Sequence, residues 1–205
     1  MSDFEYGLTE EEEEDEEEIK ARTHMELYDW IQCVVTALVC GVLIFVFVGR
    51  TISVDGNSMV QTLRHNDRVI MSNLFYNPAG GDIVVFRAPS EQFEGIPLVK
   101  RVIATAGQTI DIDFSTGSVL VDGILLNEPY IYTMTTGSYN FEGPVTIPDG
   151  YVFVMGDNRA SSTDSRSNLV GLVDTRYILG KVLIVLIPGA DEFGVREWNR
   201  FGIPS

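Results

Sequence analysis

The chain has 205 residues and a formal net charge of −16, long enough for one domain with a packed core plus appendages. The charge is concentrated: residues 1–29 carry 13 acidic and 2 basic residues, and the remainder carries 17 acidic against 12 basic, a net of −5. A remainder of that sign offers no basic face, which excludes a nucleic-acid partner.

Residues 1–25 are polar, with an unbroken acidic run from Glu10 to Glu18. Such a run repels itself and buries nothing, so the tail is predicted to be disordered. Residues 26–50 read differently. Trp30 to Gly49 holds no charged residue and is dominated by Val, Leu, Ile and Phe. About 20 apolar residues cross a bilayer core as a helix, which predicts one transmembrane helix. Tyr28 and Trp30 sit where interfacial aromatics belong, and Asp29 and Arg50 close the ends. No small-x-small cleavage site follows, which argues against a removed leader. Lys20 and Arg22 on one side and Arg50, Arg64 and Arg68 on the other leave the orientation undecided. Cys33 and Cys40, both inside the apolar stretch, are the only cysteines. The rest of the chain therefore has no disulfide framework and no Cys-zinc site.

After residue 50 the pattern is β. Thr51 to Val54 alternates, and Arg68–Met71, Asp82–Phe86 and Leu98–Thr105 are β-branched runs bounded by turn residues. Pro78-Ala79-Gly80-Gly81 marks a turn. Residues 107–148 hold shorter strands, Thr109–Phe114, Ser118–Val121 and Ile124–Leu126, with Asp122-Gly123 as a type I′ hairpin turn. They read as a smaller β region inserted in the larger one. Tyr151–Met155 and Lys181–Ile187 return to the main sheet. The expected class is mostly β: an antiparallel domain over 51–205 behind one N-terminal membrane helix. No motif is assigned after Pro188.

Candidate chemistry begins at Gly56-Asn57-Ser58-Met59-Val60-Gln61-Thr62-Leu63. A serine hydroxyl is a weak nucleophile until a neighbour takes its proton. His24 and His65 are isolated and read as surface residues. Lys100 closes an apolar run, Leu98-Val99, and is followed by Val102 and Ile103. A free lysine has a pKa near 10.4, so removing its proton at pH 7 costs about 4.6 kcal/mol. Burial lowers a lysine pKa by about 3–5 units, and the neighbours of Lys100 permit burial. Arg101 points to the opposite face if this is a strand. The acidic residues lack metal-ligand spacing, and there is no phosphate-binding glycine loop, so no metal or cofactor is expected.

Four blocks, in order and spacing, resemble the type I signal peptidases, membrane-anchored Ser–Lys proteases. They are Ser58 to Leu63; Asn66 to Ile70; Gly81 to Phe86 running on to Lys100-Arg101-Val102-Ile103-Ala104; and Gly156-Asp157-Asn158-Arg159 with Ser162, Asp164, Ser165 and Arg166. The resemblance spans about residues 28–188. It implies Ser58 as nucleophile, Lys100 as general base and Ser162 as the hydroxyl that orients the lysine. It also implies a structural ion pair between Asp164 and Arg166, with Arg101 close by. Ile52, Val54, Met59, Leu63, Val69, Val85, Leu98 and Val99 would line pockets for small side chains. The implied substrates are signal peptides of exported precursors, cut after Ala-x-Ala beside a lipid bilayer and near the export machinery. The N-terminus would be cytoplasmic and the β domain external. Two departures stand out. Gln61 occupies the position where the family usually has Pro, which loosens the turn after the nucleophile. Gly56 replaces a hydroxyl that in some members adds an oxyanion donor, leaving the Ser58 N–H as the natural donor. A specialist peptidase serving a pilus or conjugation locus, or an inactive anchored scaffold, are the alternatives. Gln61 alone favours the scaffold, which has no need of Ser58, Lys100 and Ser162.

Overall fold

The computed structural model describes residues 10–93, 95–190 and 194–204. They fall into two compact units that divide between Val46 and Phe47.

The first unit is helical. Helix α1 runs Glu10–Val48, 39 residues. It contains a 22-residue stretch, Arg22–Leu43, with mean hydropathy 1.4, long and apolar enough to cross a membrane. Its large side chains lie open, Trp30 at 74% and Leu38 at 66% exposure, as for a helix whose apolar surface no protein core covers. Residues 10–25, expected to be disordered, are helical instead. Glu, Lys, Ala and Arg are good helix formers, and acidic residues suit the positive end of the helix dipole. The apolar helix that follows has already met the cost of nucleation. Residues 1–9 of the expected tail lie outside the described residues.

The second unit is β. Its strands are β1 (Arg50–Ser53), β2 (Arg68–Ser72), β3 (Ile83–Arg87), β4 (Pro97–Thr105), β5 (Thr109–Asp113), β6 (Ser118–Val121), β7 (Ile124–Leu125), β8 (Val145–Thr146), β9 (Tyr151–Met155), β10 (Val173–Asp174) and β11 (Ile178–Ile187). Seven form one sheet in the order β1-β2-β11-β3-β4-β9-β10, and four form a smaller one, β7-β6-β5-β8. All named pairings are antiparallel. Asp122 and Gly123 take φ of 53° and 76°, the left-handed pair a type I′ hairpin requires. Two strands escaped the sequence reading, β8 and β10. Each is two residues long, too short for alternation to show.

The small sheet packs on the large one. Ile110, Ile112, Val119 and Ile147 share a core with Ile103, Ala104, Phe153 and Met155, which fixes the ends of β4 and β9. Strand β4 is central, between β3 and β9. A central strand is covered on both faces, so its sequence is a nearly continuous apolar run, PLVKRVIAT. The two exceptions, Lys100 and Arg101, are buried with it, at 4% and 5% exposure.

Candidate active site

Ser58 stands on a turn just after β1. Gly56 opens the turn at φ 90°, a conformation that costs glycine little and other residues much. One helical bond follows, from the Leu63 N–H to the Met59 carbonyl at 2.8 Å. Met59 and Leu63 drop into a core made with Val54, Val69, Val85, Val182 and Val185, and this anchors the turn. Asn158 holds it from above. Its backbone N–H donates to the Ser58 carbonyl at 2.9 Å, and its side-chain amide donates to the Asn57 carbonyl at 3.2 Å.

Lys100 reaches this turn from β4. Nζ lies 2.7 Å from Ser58 Oγ and donates to the Val99 carbonyl at 3.0 Å. The register sets Lys100 opposite Val84 on β3. Leu98 and Val102, two residues away on the same strand, share its face. Leu98 packs with the buried Val84, Phe86, Val102, Val152 and Val154. Burial lowers the Lys100 pKa to about 8, with Asp164 and Asp157 pulling the other way. At that value the neutral amine costs about 1.4 kcal/mol at pH 7, against about 4.6 for a free lysine. Neutral Nζ can accept the Ser58 hydroxyl proton along the 2.7 Å contact already in place.

Arg101 turns to the other face. Its guanidinium grips Asp157 with two bonds, Nε to Oδ1 at 2.8 Å and Nη2 to Oδ2 at 2.7 Å. Nη1 donates to the Gly81 carbonyl at 2.9 Å, and the Tyr130 ring lies 3.9 Å from the guanidinium carbon. Asp157, fully buried, also accepts the Thr62 hydroxyl at 2.5 Å. Thr62 sits in the Ser58 turn, so Asp157 ties that turn to β4. The expected ion pair of Asp164 with Arg166 is present at 2.8 Å, with neither side chain exposed. Arg101 pairs with Asp157 and not with Asp164. Asp157 and Asn158 belong to the last of the four sequence blocks. Nothing local to them announces partners 56 and 101 positions away.

Ser162 is buried at 3% exposure, and its hydroxyl has no hydrogen-bond partner among the described residues. The bond to Lys100 implied by resemblance is therefore not formed in this structure. Nζ is engaged by Ser58 and the Val99 carbonyl instead. Ser162 still lies beside the nucleophile: a Cβ on Gly156 would come within 2.3 Å of Ser162 Oγ and 2.5 Å of the Ser58 carbonyl. Only glycine fits between them.

The eight candidate pocket residues divide. Val54, Met59, Leu63, Val69 and Val85 are buried in one cluster, with Ile52 and Val99 half-buried against it. Leu98 packs instead in a separate cluster with Val84, Phe86 and Val102.

The profile of the family "Signal peptidase, peptidase S26" matches residues 27–187. A Synechocystis chain named "Probable signal peptidase I-1" is 36% identical over 84% of this chain and 85% of its own length. A "Signal peptidase I" of Bacillus amyloliquefaciens is 30% identical over 90% of this chain and 97% of its own. A solved signal peptidase I structure from Enterococcus faecalis aligns with a TM-score of 0.42 at 27% identity, over 52% of this chain and 97% of that one.

Proposed function

The chain belongs to the signal peptidase family, peptidase S26, and on that premise we propose that it removes signal peptides from exported precursors with a Ser58–Lys100 dyad. The observation that carries the proposal is the 2.7 Å contact between Ser58 Oγ and Nζ of a lysine that is 4% exposed.

Neutral Lys100 takes the hydroxyl proton as Ser58 Oγ attacks the scissile carbonyl carbon. The carbonyl oxygen becomes an oxyanion, stabilised by the Ser58 N–H. As the tetrahedral intermediate collapses, the C–N bond breaks and the Lys100 ammonium gives its proton to the leaving amine. The signal peptide remains as an ester on Ser58. Water then attacks that ester while Lys100 takes its proton. The ester C–O bond breaks, the proton returns to Ser58 Oγ, and a free carboxylate departs. Ser162 serves as an orienting hydroxyl when Nζ releases the Val99 carbonyl.

Half-buried Ile52 and Val99 over the Met59–Leu63 floor suit small side chains, which supports cleavage after Ala-x-Ala. Residues 26–50 anchor the enzyme in the membrane, and residues 51–205 form the catalytic domain, with 107–148 as its inserted region. The catalytic domain works on the external side, beside the export machinery.

The test is cleavage of a secretory precursor with an Ala-x-Ala site by detergent-purified protein, read by mass spectrometry. The wild type cuts after the second Ala, and Ser58→Ala and Lys100→Ala do not. Equal cleavage by all three would sink the dyad.

A further inference from the structure

Residues after Pro188 carry no recognisable motif, yet they reach the nucleophile turn. Arg200 lies in a short 3-10 turn, Trp198–Arg200. Its guanidinium donates to Asp67 through Nη1 to Oδ1 at 3.1 Å and Nη2 to Oδ2 at 2.5 Å. Nη2 also faces the Thr62 carbonyl at 3.4 Å. Asp67 is fully buried, and the Arg200 side chain is 12% exposed. The carboxylate further accepts the N–H groups of Arg64 and Gly189, each at 2.7 Å. The segment is seated twice more. Gly202 and Val185 exchange backbone bonds at 2.8 and 3.2 Å, and Glu197 pairs with Arg64 at 2.9 Å.

These contacts converge on the end of the turn that carries Ser58. The bond from Leu63 to Met59 closes one helical turn, and the last carbonyls of such a turn lack partners within it. A cation there both bonds them and suits the local dipole. Thr62 is thereby held from two sides. Its hydroxyl belongs to the Asp157–Arg101 network of β4, and its carbonyl faces Arg200. Between Ser58 and Thr62 stands Gln61, without the ring that would stiffen the turn from within.

We propose that Arg200 is a positioning residue, which clamps the Ser58–Leu63 turn against Asp67 and so makes the C-terminal segment part of the support of the catalytic serine. The proposal rests on the reading of Ser58 and Lys100 as the dyad.

The experiment is steady-state cleavage of the same precursor by the full chain and by Arg200→Ala, Arg200→Lys, Arg196→Ala and Ser58→Ala, with Tm measured for each. Arg196 bonds the Pro188 carbonyl at 2.6 Å, so its loss loosens the same segment without touching the turn. Arg200→Ala is expected to lower kcat on the order of 10- to 100-fold, the cost of a small misplacement of a reacting group. Its KM should stay within about twofold, because binding is not what the clamp supplies. Arg196→Ala should lower Tm and leave kcat. Arg200→Lys keeps a charge opposite Asp67, so it folds if Arg200→Ala does not. An ammonium lacks the planar fork needed to span Asp67 and Thr62 together, so kcat should still fall severalfold. Wild-type kcat in Arg200→Lys, or in a folded Arg200→Ala below its Tm, would overturn the clamp. Activity surviving in Ser58→Ala would overturn the dyad and the clamp with it. Activity lost in Ser58→Ala but full in Arg200→Ala would overturn the clamp alone.

Discussion

Lys100 and Arg101 are consecutive on β4, equally buried, and treated in opposite ways. On one face Arg101 meets a carboxylate, a carbonyl, a hydroxyl and an aromatic ring. Each guanidinium nitrogen has a partner. On the other face Lys100 meets Ser58 and one carbonyl. Its carboxylates, Asp164 and Asp157, act only at a distance. Burial then works against the charge, and the pKa drops to about 8. Burial by itself decides neither outcome. What decides is whether the fold hands the cation a carboxylate, and strand alternation lets it hand one to Arg101 while withholding it from the preceding Lys100.

The comparison breaks most sharply under a single substitution made at each position. Lys100→Met should reduce kcat by roughly 10⁴-fold or more, as loss of a catalytic group does. It should leave Tm unchanged or raised, because an apolar chain of similar length replaces a buried amine. Arg101→Met should do the reverse to stability. It strands Asp157 with no counter-charge, at a cost of about 3–5 kcal/mol, read as a fall in the denaturation midpoint. The pH profile sharpens the comparison further. The lysine must lose its proton to act, so kcat/KM should rise with pH through a midpoint of about 8. Leu98→Asp would give Lys100 a neighbour of the kind Arg101 has. A nearby carboxylate favours the charged amine, so the midpoint should move up by about one unit. The smallest effect belongs to Gln61→Pro. Stiffening the turn is worth about 0.4–1 kcal/mol, so kcat should gain no more than about two- to fivefold.

Most of the fold was legible in sequence because most of the strands are long enough to alternate or to run apolar. The mostly β class and the boundaries of β6 and β9 follow from that. The stretch 10–25 was not legible. Acidic composition argues for disorder, while the covalent link to an apolar helix makes propagation inexpensive. At the site, Ser58 and Lys100 stand out locally, one in a glycine-led turn and one as a lysine inside an apolar run. The partner of Arg101 does not stand out. Asp157 and Asp164 sit in the same turn-rich block, and only the fold shows that Asp157 is the carboxylate within reach. The face of Leu98 follows from strand parity, which it shares with Lys100 and not with Val99. Arg200 carried no local signal at all, since its partners lie 133 and 138 positions away.

The claim beneath all of this is that Lys100 gives up its proton within reach of physiological pH, and titrating it observes that directly. The chain has three lysines, Lys20, Lys100 and Lys181, so a protein labelled with carbon-13 at the lysine ε-carbon yields three signals. One that vanishes in Lys100→Met and titrates with a midpoint of about 8 is the predicted result. A Lys100 signal that holds its proton up to the ordinary value near 10.4 would contradict the account.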